Sequence, residues 1–168
     1  PNAALPHHHP GERTLQKGDT LIVDMGASLD GYNSDLTRSF YLGDEPEERF
    51  QQVYENVLQA QLSALNGIRP QMTGRAVDAL ARDVINAAGH EEHFGHGLGH
   101  GLGMEVHEAP RLSSRGIEDL LEPGMVVTVE PGIYITGWGG VRIEDLILVG
   151  EKGAILLSHC PKTPLIPV

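Results

Sequence analysis

The chain has 168 residues, 40% hydrophobic and 21% charged, with a formal net charge of -11. That length fits one domain with a sizeable core, the mixture argues against disorder, and the acidic balance argues against binding a phosphate backbone. No stretch approaches the roughly 18 apolar residues of a membrane span, no secretory leader opens the chain, and the single cysteine, Cys160, allows no internal disulfide; a soluble cytoplasmic protein is expected, with Cys160 a small apolar filler.

Residues 1–19 read as loop, with prolines at 1, 6 and 10 and a turn at Gly18–Asp19. This loop carries His7, His8 and His9, and its start at Pro1, without a methionine, suggests a piece of something longer. Residues 20–29 and 32–42 are strand-like and flank Asp30–Gly31, a strong hairpin signal. If Leu29 pairs with Tyr32, the register puts Asp24 opposite Thr37 and Asp35 opposite Gly26. Asp24 and Asp35 then lie diagonally on one face, where two carboxylates repel unless a cation or proton sits between them.

Asp44 is the expected cap of a helix running to about Leu65, with Pro46 in its first turn and Phe50, Val53, Tyr54, Val57, Leu58, Leu62 and Leu65 as its apolar stripe. Gln61 is the one polar interruption of that stripe. A second helix is expected from Thr73 as cap to about Ala88, with Gly89 as its stop. Both read as cover for a sheet and carry no assigned chemistry.

In GHGLGHGLGMEVHEAP, residues 95–110, glycine recurs at every second position from 95 to 103, which suits an extended strand closely approached by another backbone. His96 and His100 share a face in that reading, whereas His107 falls on the other unless a bulge intervenes. A loop follows from Ala109 to about Glu118, holding Arg111 and Arg115. Residues 125–136 and 140–149 form a second hairpin around a three-residue turn, 137–139. That register puts Glu144 opposite Gly132 and diagonal to Glu130, and the two acids share a face only if the loop has an odd number of residues. Pro131 predicts a bulge or an edge position beside Glu130. A turn at Lys152–Gly153 leads to a last short strand, residues 154–158, and an extended tail.

Asp24, Asp35, His100, Glu130 and Glu144 together make a ligand set for two divalent cations. Their four negative charges would balance two such ions, and oxygen-rich ligation with one imidazole suits manganese, cobalt, iron or zinc.

The runs VDMGASLDGYNSDLTRSF, GHGLGHGLGMEVHEAPRLS, LEPGMVVTVEPGIYI and GGVRIED resemble the catalytic domain of Xaa-Pro dipeptidases (prolidases), in the pita-bread metallopeptidase family that includes aminopeptidase P and methionine aminopeptidase. The resemblance covers nearly the whole chain. It implies an α+β fold, a curved antiparallel sheet covered by helices, as a single domain over residues 1–168 whose N-terminal part is missing. It implies a metallo-exopeptidase that hydrolyses the Xaa-Pro bond of dipeptides by a metal-bridging hydroxide. The metals would be two divalent ions, manganese or cobalt first and zinc or iron as alternatives, with Asp24 on one metal, Asp35 and Glu144 bridging, and His100 with Glu130 completing the second.

By the same resemblance Glu130 shuttles the proton, His107 stabilises the oxyanion, and His96 and His7 line the substrate pocket. Arg111 would grip the free carboxylate of a dipeptide, while Thr37 and Arg142 would support the ligands from behind. The expected partner is a small peptide with proline after the scissile bond, with no nucleic acid and no membrane, and the parent would be a homodimer. Aminopeptidase P specificity is the near alternative. A non-enzymatic binding module and creatinase-like hydrolysis without metal are disfavoured, since every ligand position is matched. Because the resemblance implies that helices and a strand, half of an α/β pseudo-repeat, are absent, weak or no activity is expected of this chain itself.

Overall fold

A computed structural model of the chain describes residues 1–115 and 120–166. The expected loop end at Glu118 and the last two residues of the tail lie outside them. Among the described residues no helix is long and apolar enough to cross a membrane.

The first hairpin forms in the expected register. Asp30 and Gly31 take positive φ, 51° and 85°, as a tight two-residue turn requires. Strands β1 (Thr20–Met25), β2 (Ser28–Leu29), β3 (Tyr32–Asn33) and β4 (Leu36–Leu42) place Leu29 opposite Tyr32 and Asp24 opposite Thr37. The two expected long strands are nevertheless each interrupted. Gly26, Ala27, Ser34 and Asp35 leave the ladder, and Ser34 bridges the gap: its N–H donates to the Ala27 carbonyl at 2.8 Å and its Oγ accepts from the Ala27 N–H at 3.0 Å. The break frees Asp35 to project from irregular backbone.

Helix α1 (Glu48–Gly67) begins and ends later than expected. Glu47, after Pro46, takes the extended N-cap position, so Asp44 lies outside the helix; it faces Lys17 Nζ at 3.4 Å instead. The buried face is also rotated. Ala60, Gln61 and Ala64 are fully or almost fully enclosed, whereas Leu58, Leu62 and Leu65 are only partly buried, because the small alanines let the helix approach the sheet most closely. Helix α2 (Gly74–Ala87) matches its signals: Thr73 Oγ1 accepts from the Ala76 N–H at 3.2 Å, and Gly89 ends the helix at φ 81°. Ala88, where the helix is expected to end, is its C-cap and is exposed.

The glycine-rich run is strand only at β5 (Gly99–Gly101), which pairs with β6 (Glu108–Leu112). Then come β7 (Val126–Val129), β8 (Gly132–Ile135), β9 (Gly139–Arg142), β10 (Asp145–Gly150), β11 (Gly153–Leu156) and β12 (Leu165–Ile166). The β8–β9 loop has three residues as expected, but Ile135 pairs with Gly139, so the loop is Thr136–Gly137–Trp138 and the register slides by two. Gly132 therefore faces Arg142, not Glu144. The parity is kept. With Asp145 opposite Val129 on the far side of the Pro131 break, Glu130 and Glu144 lie directly opposite each other, not diagonally.

The strands form a five-stranded sheet in the order β11-β10-β7-β5-β6, a three-stranded sheet β1-β4-β12, and the ribbons β2-β3 and β8-β9. Among the described residues all strand pairings are antiparallel except β12 with β4, where the tail runs parallel to Tyr41 and Leu42. One core joins both helices to the sheets, through Phe50, Val57, Val77, Ala81 and Ile85 against Leu98, Leu112, Val127, Val129, Ile143 and Ile147. Cys160 is exposed, not a filler; its carbonyl accepts from Arg38 Nη2 at 2.8 Å.

Candidate metal centre

The glycines decide how close the site's backbones come. A Cβ on Gly99 would stand 2.1 Å from the Thr128 carbonyl oxygen, and one on Gly101 2.0 Å from that of Ala109. β5 therefore wedges between β6 and β7 where no side chain fits. From it His100 reaches outward. Its Nδ1 lies 2.9 Å from the Gly101 carbonyl, so Nδ1 carries the proton and Nε2 faces Glu130 Oε1 at 3.3 Å and Asp35 Oδ2 at 4.0 Å. A ring lone pair facing two carboxylates is repulsive until a proton or cation enters. Asp35, His100 and Glu144 each offer a ligand atom, and these atoms all lie within 4.8 Å of one another.

The β5–β6 register shifts between His100 and Gly101, and the intervening residues loop back. This removes the parity obstacle: His107 leaves the strand and stacks near His100, ring centroids 4.3 Å apart. Arg111 pairs directly with His100 across the ladder, which puts both side chains on one face.

The acids are held from behind by a chain of donors. Thr37 Oγ1 donates to Glu144 Oε2 at 2.5 Å and accepts from Arg142 Nε at 3.2 Å, while Arg142 Nη2 meets Asp24 Oδ2 at 2.6 Å. Arg142 Nη1 also donates to the Pro6 carbonyl at 3.1 Å, tethering the N-terminal loop so that His7 reaches the same cleft. Thr128 Oγ1 accepts from the His100 N–H and donates to Glu130 Oε1, both at 3.0 Å. His96 is engaged at both ring nitrogens, with the Gly97 carbonyl at 2.8 Å and the Tyr134 hydroxyl at 2.9 Å. Arg142 donates to that hydroxyl at 2.9 Å.

Helix α2 anchors the approach to β5. Its Asp78, paired with Arg82 at 2.6 Å, accepts from the Leu98 N–H, and Arg82 Nη2 donates to the His96 carbonyl at 2.7 Å.

Burial and crowding set the protonation of this cluster. Burial first, then the Glu130 and Asp35 charges, pushes Glu144 up to about 9. Burial, then Asp24 and Glu130, raises Asp35 to about 6. For His100 the loss of solvent acts downward, but the Glu130 hydrogen bond and charge outweigh it, leaving His100 above its usual value. Glu130 is lowered: burial alone would raise it, and the His100 hydrogen bond with the His96, His100 and Arg142 charges reverses this. Burial lowers His96 and raises Tyr134 to about 12.

Asp24, Asp35, His100, Glu130, Glu144, His7, His96, His107, Arg111 and Arg142 all line one cleft of about 700 Å³; Thr37 sits behind it, and His8, His9 and Arg115 lie off it. Tyr134 and Thr128 were missed in the sequence. The available signal was polar spacing, since each stands an even number of residues from Glu130 on the same run.

The sequence pattern of metallopeptidase family M24 matches residues 1–151. The Xaa-Pro dipeptidase of Pyrococcus furiosus is 45% identical over 156 residues, 93% of this chain and 44% of that protein. Among solved structures, the Xaa-Pro dipeptidase from Bacillus anthracis aligns with a TM-score of 0.94 and 48% identity over 98% of this chain and 46% of that one. The X-Pro aminopeptidase from Thermotoga maritima aligns with a TM-score of 0.93 and 39% identity, again over 98% and 46%. The fold is thus the α+β architecture of prolidase and aminopeptidase P structures. The chain spans less than half the length of the relatives it matches.

Proposed function

We propose, from the premise that this chain belongs to metallopeptidase family M24, that its cleft is the catalytic centre of an Xaa-Pro dipeptidase. The observation that carries the reading is the convergence of Asp35, His100 and Glu144 on one point, with Asp24 and Glu130 beside them. The donor set fits divalent cations: four carboxylates and an imidazole nitrogen crowd a partly buried space, and two of the acids are driven to hold protons that a cation would displace. Asp24, Asp35, His100, Glu130 and Glu144 would hold two ions, manganese or cobalt before zinc or iron. When bound, such ions supply an activated water and a Lewis acid at the scissile carbonyl.

The chain's own residues do the rest. Glu130 carries a proton on its carboxylate towards the leaving imino nitrogen, and His107 donates to the oxygen that gains charge in the transition state. His7 and His96 wall the pocket, His96 held neutral and fixed by Gly97 and Tyr134. Arg111, on the His100 face of β6, receives the carboxylate of a dipeptide in a bidentate hydrogen bond and so measures substrate length. The substrate is a small peptide with proline after the scissile bond, and the parent protein is a cytoplasmic homodimer.

A second reading, release of an N-terminal residue before proline from longer peptides, is favoured by the equally close structural match to the Thermotoga aminopeptidase. Hydrolysis of Ala-Pro and Ala-Pro-Ala, measured with added Mn²⁺ on the 168-residue chain and on a longer parent, separates the two. Dipeptide preference is expected, with Arg111→Ala costing about 10² in kcat/KM for Ala-Pro and much less for the tripeptide, the size of a lost charge-assisted pair. Faster cleavage of the tripeptide would sink the dipeptidase assignment and the role of Arg111 together.

A further inference from the structure

Gln61, the polar residue in the apolar stripe of α1, has no place in the chemistry above, yet it is completely buried. Its amide nitrogen donates to two carbonyls on different strands, Val129 at 3.2 Å and Ile143 at 3.1 Å. Both partners are acceptors, which fixes the orientation of the amide. Its own Oε1 has no hydrogen-bond partner among the described residues, an arrangement that serves the amide's donors at the expense of its acceptor.

The position of those carbonyls gives the arrangement its meaning. Val129 immediately precedes Glu130, and Ile143 immediately precedes Glu144. Here the ladder breaks: β7 ends at Val129 and β8 begins at Gly132, while β9 ends at Arg142 and β10 begins at Asp145. One peptide unit joins the Val129 carbonyl to the Glu130 N–H, and that N–H donates to Leu98 O at 2.8 Å. In the same way the Glu144 N–H donates to Thr37 O at 3.1 Å. Each peptide plane that carries an acid is therefore pinned at both ends, by Gln61 on its oxygen and by a neighbouring strand on its nitrogen.

We propose that Gln61 is a positioning residue for Glu130 and Glu144: one side-chain amide ties the two strands together where their ladder breaks, giving the Ile143 carbonyl the donor that Pro131 opposite it lacks, and sets the spacing of the two carboxylates for a divalent cation. The inference rests on the cation-binding reading above. Partners one step removed from metal ligands typically change affinity by about 10- to 100-fold, and Gln61, acting through backbone, belongs at the lower end.

The test is Mn²⁺ titration by calorimetry of the 168-residue chain, with Tm measured with and without Mn²⁺. Gln61→Met keeps length and bulk but removes both donors. Val57→Ala, fully buried one turn earlier on α1, is the packing control. Gln61→Met is expected to weaken Mn²⁺ binding about tenfold and to shrink the Mn²⁺-induced rise in Tm. Val57→Ala is expected to lower Tm equally with and without Mn²⁺ at unchanged affinity. Should Gln61→Met not fold, Gln61→Asn, which withdraws the donors by one methylene, takes its place in the same comparison. Wild-type affinity in the Gln61 variant, whatever stability it loses, overturns the proposal. A wild-type chain that binds no Mn²⁺ overturns the cation reading itself, and this inference with it.

Discussion

Cation binding to this cleft must expel protons, and the number follows from the geometry. Glu144 is raised to about 9 by burial and by the Glu130 and Asp35 charges, so at pH 8 it holds about nine-tenths of a proton in the cation-free protein. A bound divalent ion requires the deprotonated ligand, and that proton leaves. Asp35, at about 6, is already ionised at pH 8 and adds to the release as pH falls towards 6, and His100, held above its usual value by the Glu130 hydrogen bond and charge, adds to it as well. Each proton released makes affinity rise about tenfold per pH unit. The slope of log affinity against pH is expected near 1 around pH 8 and steeper towards pH 6. Titrating Mn²⁺ in buffers of different ionisation enthalpy counts the protons directly. An affinity flat between pH 7 and 8.5, with no buffer-dependent heat, would refute the argument that Glu144 is held protonated by its surroundings. Without cation the sign is fixed too. Glu144 and Asp35 have folded pKa values above their unfolded ones, so the native state binds more protons, and stability falls as pH rises from about 4 towards 9.

Two further outcomes concern the scaffold. Gly99→Ala drives a Cβ to 2.1 Å from a backbone oxygen that cannot rotate away; thermal unfolding is expected to show at least the usual overpacking loss of about 1–3 kcal/mol. Gly11→Ala, with nothing within 4 Å, is expected to leave Tm unchanged, and equal effects at the two sites would refute the close approach. Arg38, which is 2% exposed, binds Asp145 Oδ1 at 2.7 Å and the carbonyls of Glu144, Cys160 and Pro161. Arg38→Met is expected to cost about 3–5 kcal/mol, the loss on breaking a buried pair, and to expose the tail at Lys162 to trypsin; unchanged Tm and digestion would show that Arg38 does not anchor the tail.

Local signals and long-range contacts shape this fold differently. The Asp30–Gly31 turn, Thr73 as cap and Gly89 as stop are local signals, decided by backbone sterics within a few residues, and they stand where the sequence puts them. Turn chemistry also carried the register of the first hairpin as far as Asp24 and Thr37. Parity survived in the second hairpin although the loop slid, because side chains alternate faces with period two whatever the turn's placement.

By itself, then, the sequence determined the turn of the first hairpin and which residues of the two hairpins share a face, because alternation and turn type are properties of neighbouring residues. Only the tertiary structure decided how those faces meet. The break at Pro131 that sets Glu130 opposite Glu144, the loop that brings His107 back to His100, and the burial that loads Glu144 with a proton all depend on elements far apart in the chain. Gln61 shows the limit most plainly: its place in the stripe marked it as an exception, but its two partners lie 68 and 82 residues away, and no local rule reaches that far.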